Sequence, residues 1–569
     1  MKATPTHQKL RGGYYTPDPI AHFLAQWAIQ SPTAEVLEPS CGDGALLEAA
    51  VNVLVERGAA KPLVAGLVHG IELDPVEAQR TETRLRALGI PYSSEQLYVG
   101  DFFAYCKAQL LQEPFFTIGP SVRRSFDAII GNPPFIRYQN FPKEYQKVAF
   151  ELMRYAGLRP NRLTNTWVPF LVVSTLLLSE HGRLAMVIPA ELLQVNYASE
   201  VREFLGEFYG QITLVLFRGL VFDGIQQEVL LFLGDRNGQE RHGIRTIEVT
   251  SVEDLLSHRW DEPGENELKP ISHGTEKWTQ YFLRDDQRKA LREAMNNNLI
   301  TRLGQLCSVD VGVVTGKNRF FVLSKDDALK LEAQNHLLPV VTRTRYLQGL
   351  IFREHDWRGN VDTNRPSYLL AIKDASDFSE SLRKYITSGE EKNWHKNYKC
   401  SIRRLWYVVP SIWIPDAFLS RKIGSFPRLV LNSAEATCTD NLLRVKFKRT
   451  GFERIITTCF HNSLTSAFAE IFGRSYGGGV LELMPTEAEK LPVPIPKSNS
   501  KSLFSEMDKL IREGLQEEAI ELCDQRVLIE ELGCKKENIA IIKSAWRKLS
   551  KRRKSRHRRN LIHSQPIYN

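Results

Sequence analysis

The 569-residue chain has no apolar run long enough to cross a bilayer. Its longest, Trp167 to Leu178, falls short of the ~20 residues that ~30 Å of hydrocarbon demands. The opening residues, MKATPTHQKLRGG, lack the apolar stretch of a secretory leader, so the expectation is a cytoplasmic protein with no membrane partner. Eight cysteines form neither a CxxC pair nor a Cys/His cluster, which argues against a disulfide framework and against zinc; no metal site is expected. Glycine (36) and proline (28) are too sparse for a collagen-like chain, and 43% hydrophobic content is too high for disorder. No GK[ST] phosphate cradle accompanies the glycine turns, which disfavours ATP.

What charge there is, is unevenly placed. The net charge is +9, yet residues 543–559 alone hold ten Lys/Arg and no acid. Residues 1–300 carry 30 basic against 36 acidic groups, and residues 301–500 carry 29 against 20. A basic later region on a near-neutral body suggests contact with a polyanion.

The first third alternates strand and helix. Short apolar runs at Glu35–Leu37, Val64–Leu73, Gln96–Val99, Phe126–Ile130 and Leu184–Ile188 are separated by segments of helical composition: Ala45–Val55, Thr81–Leu88 and Trp167–Ser179. Interleaving of this kind means βαβ units and a parallel sheet with ligands at the carboxyl ends of its strands. Ile212–Phe217 and Val229–Leu233 are expected to close the sheet as an antiparallel hairpin across Asp223–Gly224, giving a doubly wound α/β domain of about 250 residues.

The expected strand ends carry the informative residues. The first leads into VLEPSCGDG, where Gly42 and Gly44 allow a tight turn and close approach of a ligand before a helix N-terminus. The same string also suits a plain strand-to-helix turn with no ligand. The second ends at Glu72 in HGIELDP, an acid suited to accepting two ribose hydroxyls, or to capping a helix, a task for which Asp74 before Pro75 serves better. The third ends in GDFF, where Asp101 can accept from an adenine amino group beside Phe102. Glycine turn, acid and acid together imply an adenosine-bearing cofactor. The fourth ends in GNPPFIRY. Two prolines fix the backbone and remove two amide donors, leaving Asn132 and the Pro133 carbonyl as acceptors and Phe135 as a flat surface. That set suits a planar group with an exocyclic NH2, although NPP alone is equally a rigid turn.

In order, TPDPIAHFLAQWA, VLEPSCGDG, HGIELDP, GDFF, GNPPF and GRLAMVIPAELL resemble the amino-group DNA methyltransferases, specifically the adenine-N6 branch with the gamma-type motif order. The resemblance spans roughly residues 13–233. It implies a Rossmann-like methyltransferase domain using S-adenosyl-L-methionine, with Thr16, Glu38, Pro39, Gly42, Gly44, Glu72, Asp101 and Phe102 at the cofactor. It further implies Asn132, Pro133, Pro134 and Phe135 as the catalytic motif, with Phe135 and Phe222 stacking on a flipped adenine. The family's tetrapeptide often ends in Tyr; here it is Phe135. Cytosine-N4 enzymes usually carry Ser where Asn132 stands. Cys41 is not expected to act as a nucleophile, because the reaction needs no covalent enzyme intermediate and no Pro-Cys dipeptide is present.

The later half is expected to supply recognition. Residues 241–300 read as a connector following a catalytic domain at 1–240. Residues 301–497 read as a mixed α+β target-recognition domain, and 498–569 as a helical segment with a basic tail. Val311–Leu323 reads as a β-hairpin around Thr315–Asn318, with Lys317 and Arg319 beside Phe320 and Phe321. Arg403 and Arg404 precede another aromatic cluster. Interleaved basic and aromatic residues suit contact with double-stranded DNA, and equally a core with a solvated rim. The tail reads either as a sequence-independent phosphate contact or as a solubilising end.

The expected activity is site-specific adenine-N6 methylation of DNA within a restriction–modification or related defence system of a prokaryotic, nucleoid-associated protein. One chain carrying both chemistry and recognition implies a monomer, its cognate restriction endonuclease being encoded separately. Two alternatives share the NPP[FY] motif: a methyltransferase acting on RNA or on a protein glutamine amide, and a bifunctional restriction–modification enzyme. The long basic, β-patterned C-terminal half disfavours the first. The lack of a convincing PD…(D/E)xK set disfavours the second.

Overall fold

The computed structural model describes residues 15–90, 96–111, 124–218, 228–237, 242–257, 267–271, 277–372, 378–476, 479–496 and 501–562. It divides into two compact units, Met1–Phe282 with Arg556–Asn569, and Leu283–Ser555.

The first unit is built on strands β1 (Val36–Glu38), β2 (Val68–Glu72), β3 (Leu97–Val99), β4 (Phe126–Gly131), β5 (Leu178–Pro189), β6 (Gln211–Phe217), β7 (Val229–Asp235) and β8 (Gly243–Val249). They form one sheet in the order β3-β2-β1-β4-β5-β7-β6-β8. β1 to β5 run parallel. β7 is antiparallel to both its neighbours. Strands covered on both faces can be apolar throughout, and β4 and β5 show it. Ala128, Ile130, Ala185 and Val187 belong to the core beneath helices α1 (Asp18–Ala28) and α2 (Ala45–Glu56), while the intervening Ile129, Leu184 and Met186 are equally buried. Helix α3 (Lys61–Leu67) leads into β2, and helix α4 (Pro75–Ala87) starts at Asp74, whose carboxylate accepts from the Val76 N–H (3.0 Å). Helices α5 (Phe102–Leu110), α6 (Lys143–Tyr155) and α7 (Trp167–Leu176) pack in series, α7 against β5.

The mostly parallel, doubly wound sheet with an antiparallel pair matches the sequence expectation, with two differences. β6 and β7 do pair, but β7 inserts between β5 and β6, so the hairpin's second strand is the inner one. The Asp223–Gly224 turn lies outside the described residues. Residues 241–300, read as a connector, supply β8, which pairs parallel with β6 and buries Ile247 and Val249 in the same core.

In the second unit five strands, Cys307–Val311, Leu442–Phe447, Ala417–Ser420, Leu429–Ser433 and Ile351–Arg353, form a sheet in that order. Val311–Leu323 is not a hairpin. Cys307–Val311 pairs with Leu442–Phe447, whereas Val322–Leu323 pairs with Tyr368–Leu370 in a different sheet. Between them Asn318–Phe321 forms one helical turn that buries the adjacent Phe320 and Phe321 completely. A strand, whose side chains alternate between faces, could not place both in one core.

The C-terminal segment contains helices Lys501–Arg512, Gln516–Cys523 and Lys536–Ile562. The first part of the basic stretch is packed rather than free, with Ala545, Trp546 and Leu549 buried. Arg553, 2% exposed, makes a bidentate pair with buried Glu470 (2.6 and 2.9 Å) and also donates to the Gly424 carbonyl (2.9 Å). A buried pair of this kind is costly to break from one side, so the helix is fastened at this point. Among the described residues no helix is long and apolar enough to cross a membrane, and no group of three or more His, Cys, Asp or Glu is placed to hold a metal.

Candidate active site

Because β1 to β4 are parallel neighbours, their carboxyl ends open on one edge of the sheet. Glu72, at the end of β2, ties three of them together. Its Oε2 accepts from the Gly42 N–H (2.8 Å) in the turn after β1, and its Oε1 from the Asp74 N–H (2.8 Å). Its carbonyl accepts from the Gly100 N–H (2.8 Å) after β3. The turn after β1 needs its glycines. Gly42 and Gly44 have φ of +52° and +83°, and a Cβ on Gly44 would lie 3.0 Å from the Thr81 hydroxyl. Thr81 in turn donates to the Gly42 carbonyl (2.7 Å). A Cβ on Gly42 would meet nothing within 4 Å, so space is open beside that turn.

Glu38 is 2% exposed, and among the described residues its Oε2 has no hydrogen-bond partner. Burial, and next the nearby Asp43 and Glu72, push its carboxyl well above the usual carboxylate range. A buried, unsatisfied carboxyl beside two further acids and an open glycine turn is suited to a ligand bearing positive charge. Cys41, 4% exposed, is held as the thiol by burial and by Glu38 and Glu72, which leaves no thiolate nucleophile here.

The other cofactor-site expectations are distributed as follows. Thr16 is buried at the start of α1, next to Tyr15, whose hydroxyl accepts from Arg80 (3.2 Å). Pro39 packs against the start of the GNPPF segment: a Cβ on Gly131 would sit 3.3 Å from Pro39 Cδ. Asp101 caps α5 by accepting from the Ala104 N–H (2.9 Å), with its carboxyl raised by burial. Phe102 is buried and stacked on Phe170, centroids 5.0 Å apart at 8°.

The motif after β4 is fixed from two sides. Asn132 Nδ2 donates to the Thr16 hydroxyl (3.2 Å), which orients the amide. Beyond it, Thr166 clamps the loop: its hydroxyl donates to the Pro134 carbonyl and accepts from the Ile136 N–H (2.9 Å), and its own N–H donates to the Ile136 carbonyl (3.0 Å). Asn165 Oδ1 accepts from the Tyr138 N–H (3.1 Å). Phe135 is half-buried against the core, and the Pro133 carbonyl accepts no hydrogen bond among the described residues. Phe222 lies outside the described residues.

The structure thus brings Thr16, Glu38, Pro39, Gly42, Gly44, Glu72 and Asn132–Phe135 to one edge. Sequence reasoning missed Thr81, Asn165 and Thr166. The only available signal was the polar Asn-Thr pair directly before an apolar helix, which reads as an ordinary helix start.

The DNA-contact expectations sit in the second unit. Lys317 lies over the Trp394 ring (5.5 Å), and Arg319 and Arg404 are exposed. Arg403 is engaged within the unit: it donates to the Val314 (2.9 Å) and Trp406 (3.3 Å) carbonyls and lies over Phe321 (5.6 Å).

Fold and site together define an α/β domain of the methyltransferase type followed by a large second domain. Residues 1–257 match the N-6 DNA Methylase family, and residues 275–528 match the C-terminal domain of Type II methyltransferase M.Eco57I. The chain is 22% identical over 507 residues to Type II methyltransferase M.AccI of Acinetobacter calcoaceticus, covering 85% of each. It is 23% identical over 513 residues to M.XamI of Xanthomonas campestris pv. amaranthicola, again covering 85% of each. Type II methyltransferase M.TthHB8I of Thermus thermophilus is 30% identical over 220 residues, 37% of this chain and 42% of its own. The Type IIL restriction–modification enzyme MmeI, solved in complex with DNA, shares the fold at a TM-score of 0.54 and 12% identity, over 96% of this chain and 74% of that one. Two family matches thus follow one another along the chain, the N-6 DNA Methylase model over residues 1–257 and the M.Eco57I-type C-terminal model over residues 275–528, and with the Type II relatives they support a DNA methyltransferase of the restriction–modification kind.

If the Thr166 clamp positions the catalytic loop, Thr166→Val will lower turnover about tenfold, roughly 1.4 kcal/mol, without changing cofactor affinity. Steady-state kinetics and calorimetry on the same preparation check this.

Proposed function

We propose that the protein transfers the methyl group of S-adenosyl-L-methionine to the N6 amino group of adenine in duplex DNA. It would act as the modification component of a restriction–modification system. The observation that carries this reading is the oriented Asn132 amide, anchored on Thr16 at the end of β4 beside two prolines and Phe135. The donor set at the cofactor edge fits the group: buried Glu38 with an unsatisfied oxygen, the open Gly42 turn and the Glu72 carboxylate suit a cationic adenosine derivative.

The bound cofactor supplies an electrophilic methyl on a sulfonium; the chain's own residues do the rest. A base within a duplex is unreachable, so the adenine rotates out of the stack at a cost of a few kcal/mol. Phe135, with Phe222, offers a surface for the ring. Asn132 Oδ1 and the Pro133 carbonyl accept the two amino hydrogens. This draws the nitrogen toward tetrahedral geometry and frees its lone pair for in-line attack. One N–H proton then leaves to solvent. Orientation and hydrogen bonding are the main catalytic terms, and no covalent enzyme intermediate is required. The basic second unit supplies recognition of the target sequence. The chain is taken to act as a monomer, with any companion endonuclease encoded separately.

Two outcomes follow. Incubated with mixed-sequence duplex DNA and the cofactor, the protein will generate N6-methyladenine, read by mass spectrometry of the digested nucleosides. Asn132→Ala will generate none while binding cofactor as before; 4-methylcytosine as the product, or lost cofactor affinity in the folded variant, would contradict the assignment.

The second concerns protons. Glu38 is raised in the free protein, so a cationic cofactor that favours its ionised form must displace a proton. Cofactor affinity will therefore rise with pH below the raised Glu38 value and level off above it. The calorimetric enthalpy will vary with the buffer's ionisation enthalpy, a dependence that Glu38→Gln removes.

A further inference from the structure

The second unit contains a cleft of about 880 Å³ lined mainly by two segments far apart in the chain, with Asn441, Val480 and Gln516 completing its wall. One is the turn Thr344–Tyr346 with its preceding residue, bringing Arg343 and Arg345. The second runs from Ser420 to Arg428 and brings Lys422, Ser425 and Arg428. Beside the lining, the C-terminal helix brings Lys554, whose Nζ donates to the lining residue Ser425 at Oγ (3.0 Å) and so lies at the rim. No Asp or Glu lines this cleft.

Several acids on neighbouring segments are already paired. Glu470 pairs with Arg553, Glu482 with Arg421 (2.9 Å), and Asp508 with Arg512 (3.0 Å) and Arg353 (3.1 Å). The cleft cations are not: Arg343 and Lys422 are exposed, and neither makes a side-chain hydrogen bond or ion pair among the described residues. Arg428 is held as part of the wall by the Leu347 (3.1 Å) and Gly349 (2.9 Å) carbonyls, while its buried Nε has no partner. Burial and the neighbouring Arg512 bring its guanidinium down to about 10, so it remains charged at neutral pH.

We infer that this cleft is an anion site for successive phosphodiester groups of duplex DNA, formed by Arg343, Arg345, Lys422, Ser425 and Arg428 with Lys554 at its edge. Uncompensated cations with hydroxyl and guanidinium donors on a rigid wall are what backbone phosphates require; such contacts fix register on the duplex without reading bases. The assignment rests on the DNA-methyltransferase reading and names a surface separate from the aromatic cluster around Lys317 and Arg403. It also gives the packed start of the basic tail a role: Arg553 fastens the helix so that Lys554 completes the rim.

The test is binding of the full-length protein to a fluorescein-labelled, random-sequence 30-mer duplex, by anisotropy across a salt series. Each lost phosphate contact lowers the log K–log salt slope by about 0.9. The triple variant Arg343→Gln, Arg345→Gln, Lys422→Gln will therefore lose roughly two to three units of slope and at least tenfold in affinity at 100 mM salt. Its cofactor affinity and melting temperature will stay at wild-type values. The single variant Lys422→Gln, at an exposed strand position, will lose about one unit and stands as the readout should the triple variant fold poorly. Wild-type slope in these variants overturns the cleft assignment and leaves the methyltransferase reading intact. A wild-type protein that binds no duplex at all overturns both. Inorganic phosphate that raises the melting temperature of the wild type but not of the triple variant, with the DNA slope unchanged, overturns the DNA assignment in favour of a small-anion site.

Discussion

The site hangs on the Glu72 carboxylate. By accepting from the Gly42 and Asp74 N–H groups it locks the turn after β1 to the start of α4, while the Glu72 carbonyl receives the Gly100 N–H and binds in the β3 end. A carboxylate offers about four acceptor positions, which lets this one residue serve both turns at once. Burial first, and then the nearby Asp43 and Glu72, raise the Glu38 carboxyl beside this lock. Like charges gathered in a buried place cost stability in the empty protein, and a cationic ligand relieves that cost on binding.

The Asn132–Phe135 loop after β4 shows a different economy. Two prolines remove donors and fix the chain, and Thr166, with Asn165, supplies the external hydrogen bonds that such a loop cannot make for itself. Asn132 is steadied from the opposite direction by Thr16, on the segment that enters α1. Asn132 and the loop that follows it are thus oriented by contacts from three parts of the chain. A reaction without an enzyme nucleophile needs such orientation, because its barrier is lowered mainly by positioning and hydrogen bonding.

The parallel half of the sheet was legible in the sequence because fully covered strands are apolar at nearly every position, and because Gly42 and Gly44 announce a turn whose positive φ only glycine adopts cheaply. The position of β7 between β5 and β6 was not legible, since a local hairpin signal fixes a partner but not the order in the sheet. Val311–Leu323 misled for a physical reason: Phe320 and Phe321 both face one core, which a helical turn allows and a strand does not. The Thr166 clamp was hidden because its partners lie some 30 residues away. The basic tail looked like a solvated run of charge until Arg553 was found paired with Glu470 inside the second unit.

The most direct test of the account is modification-sensitive long-read sequencing of DNA from a methylation-free host expressing the protein, beside the same host expressing Asn132→Ala. The account predicts N6-methyladenine at one recurrent sequence motif, present with the wild type and absent with the variant. Unmodified DNA from cells that contain folded, cofactor-binding wild-type protein would contradict it.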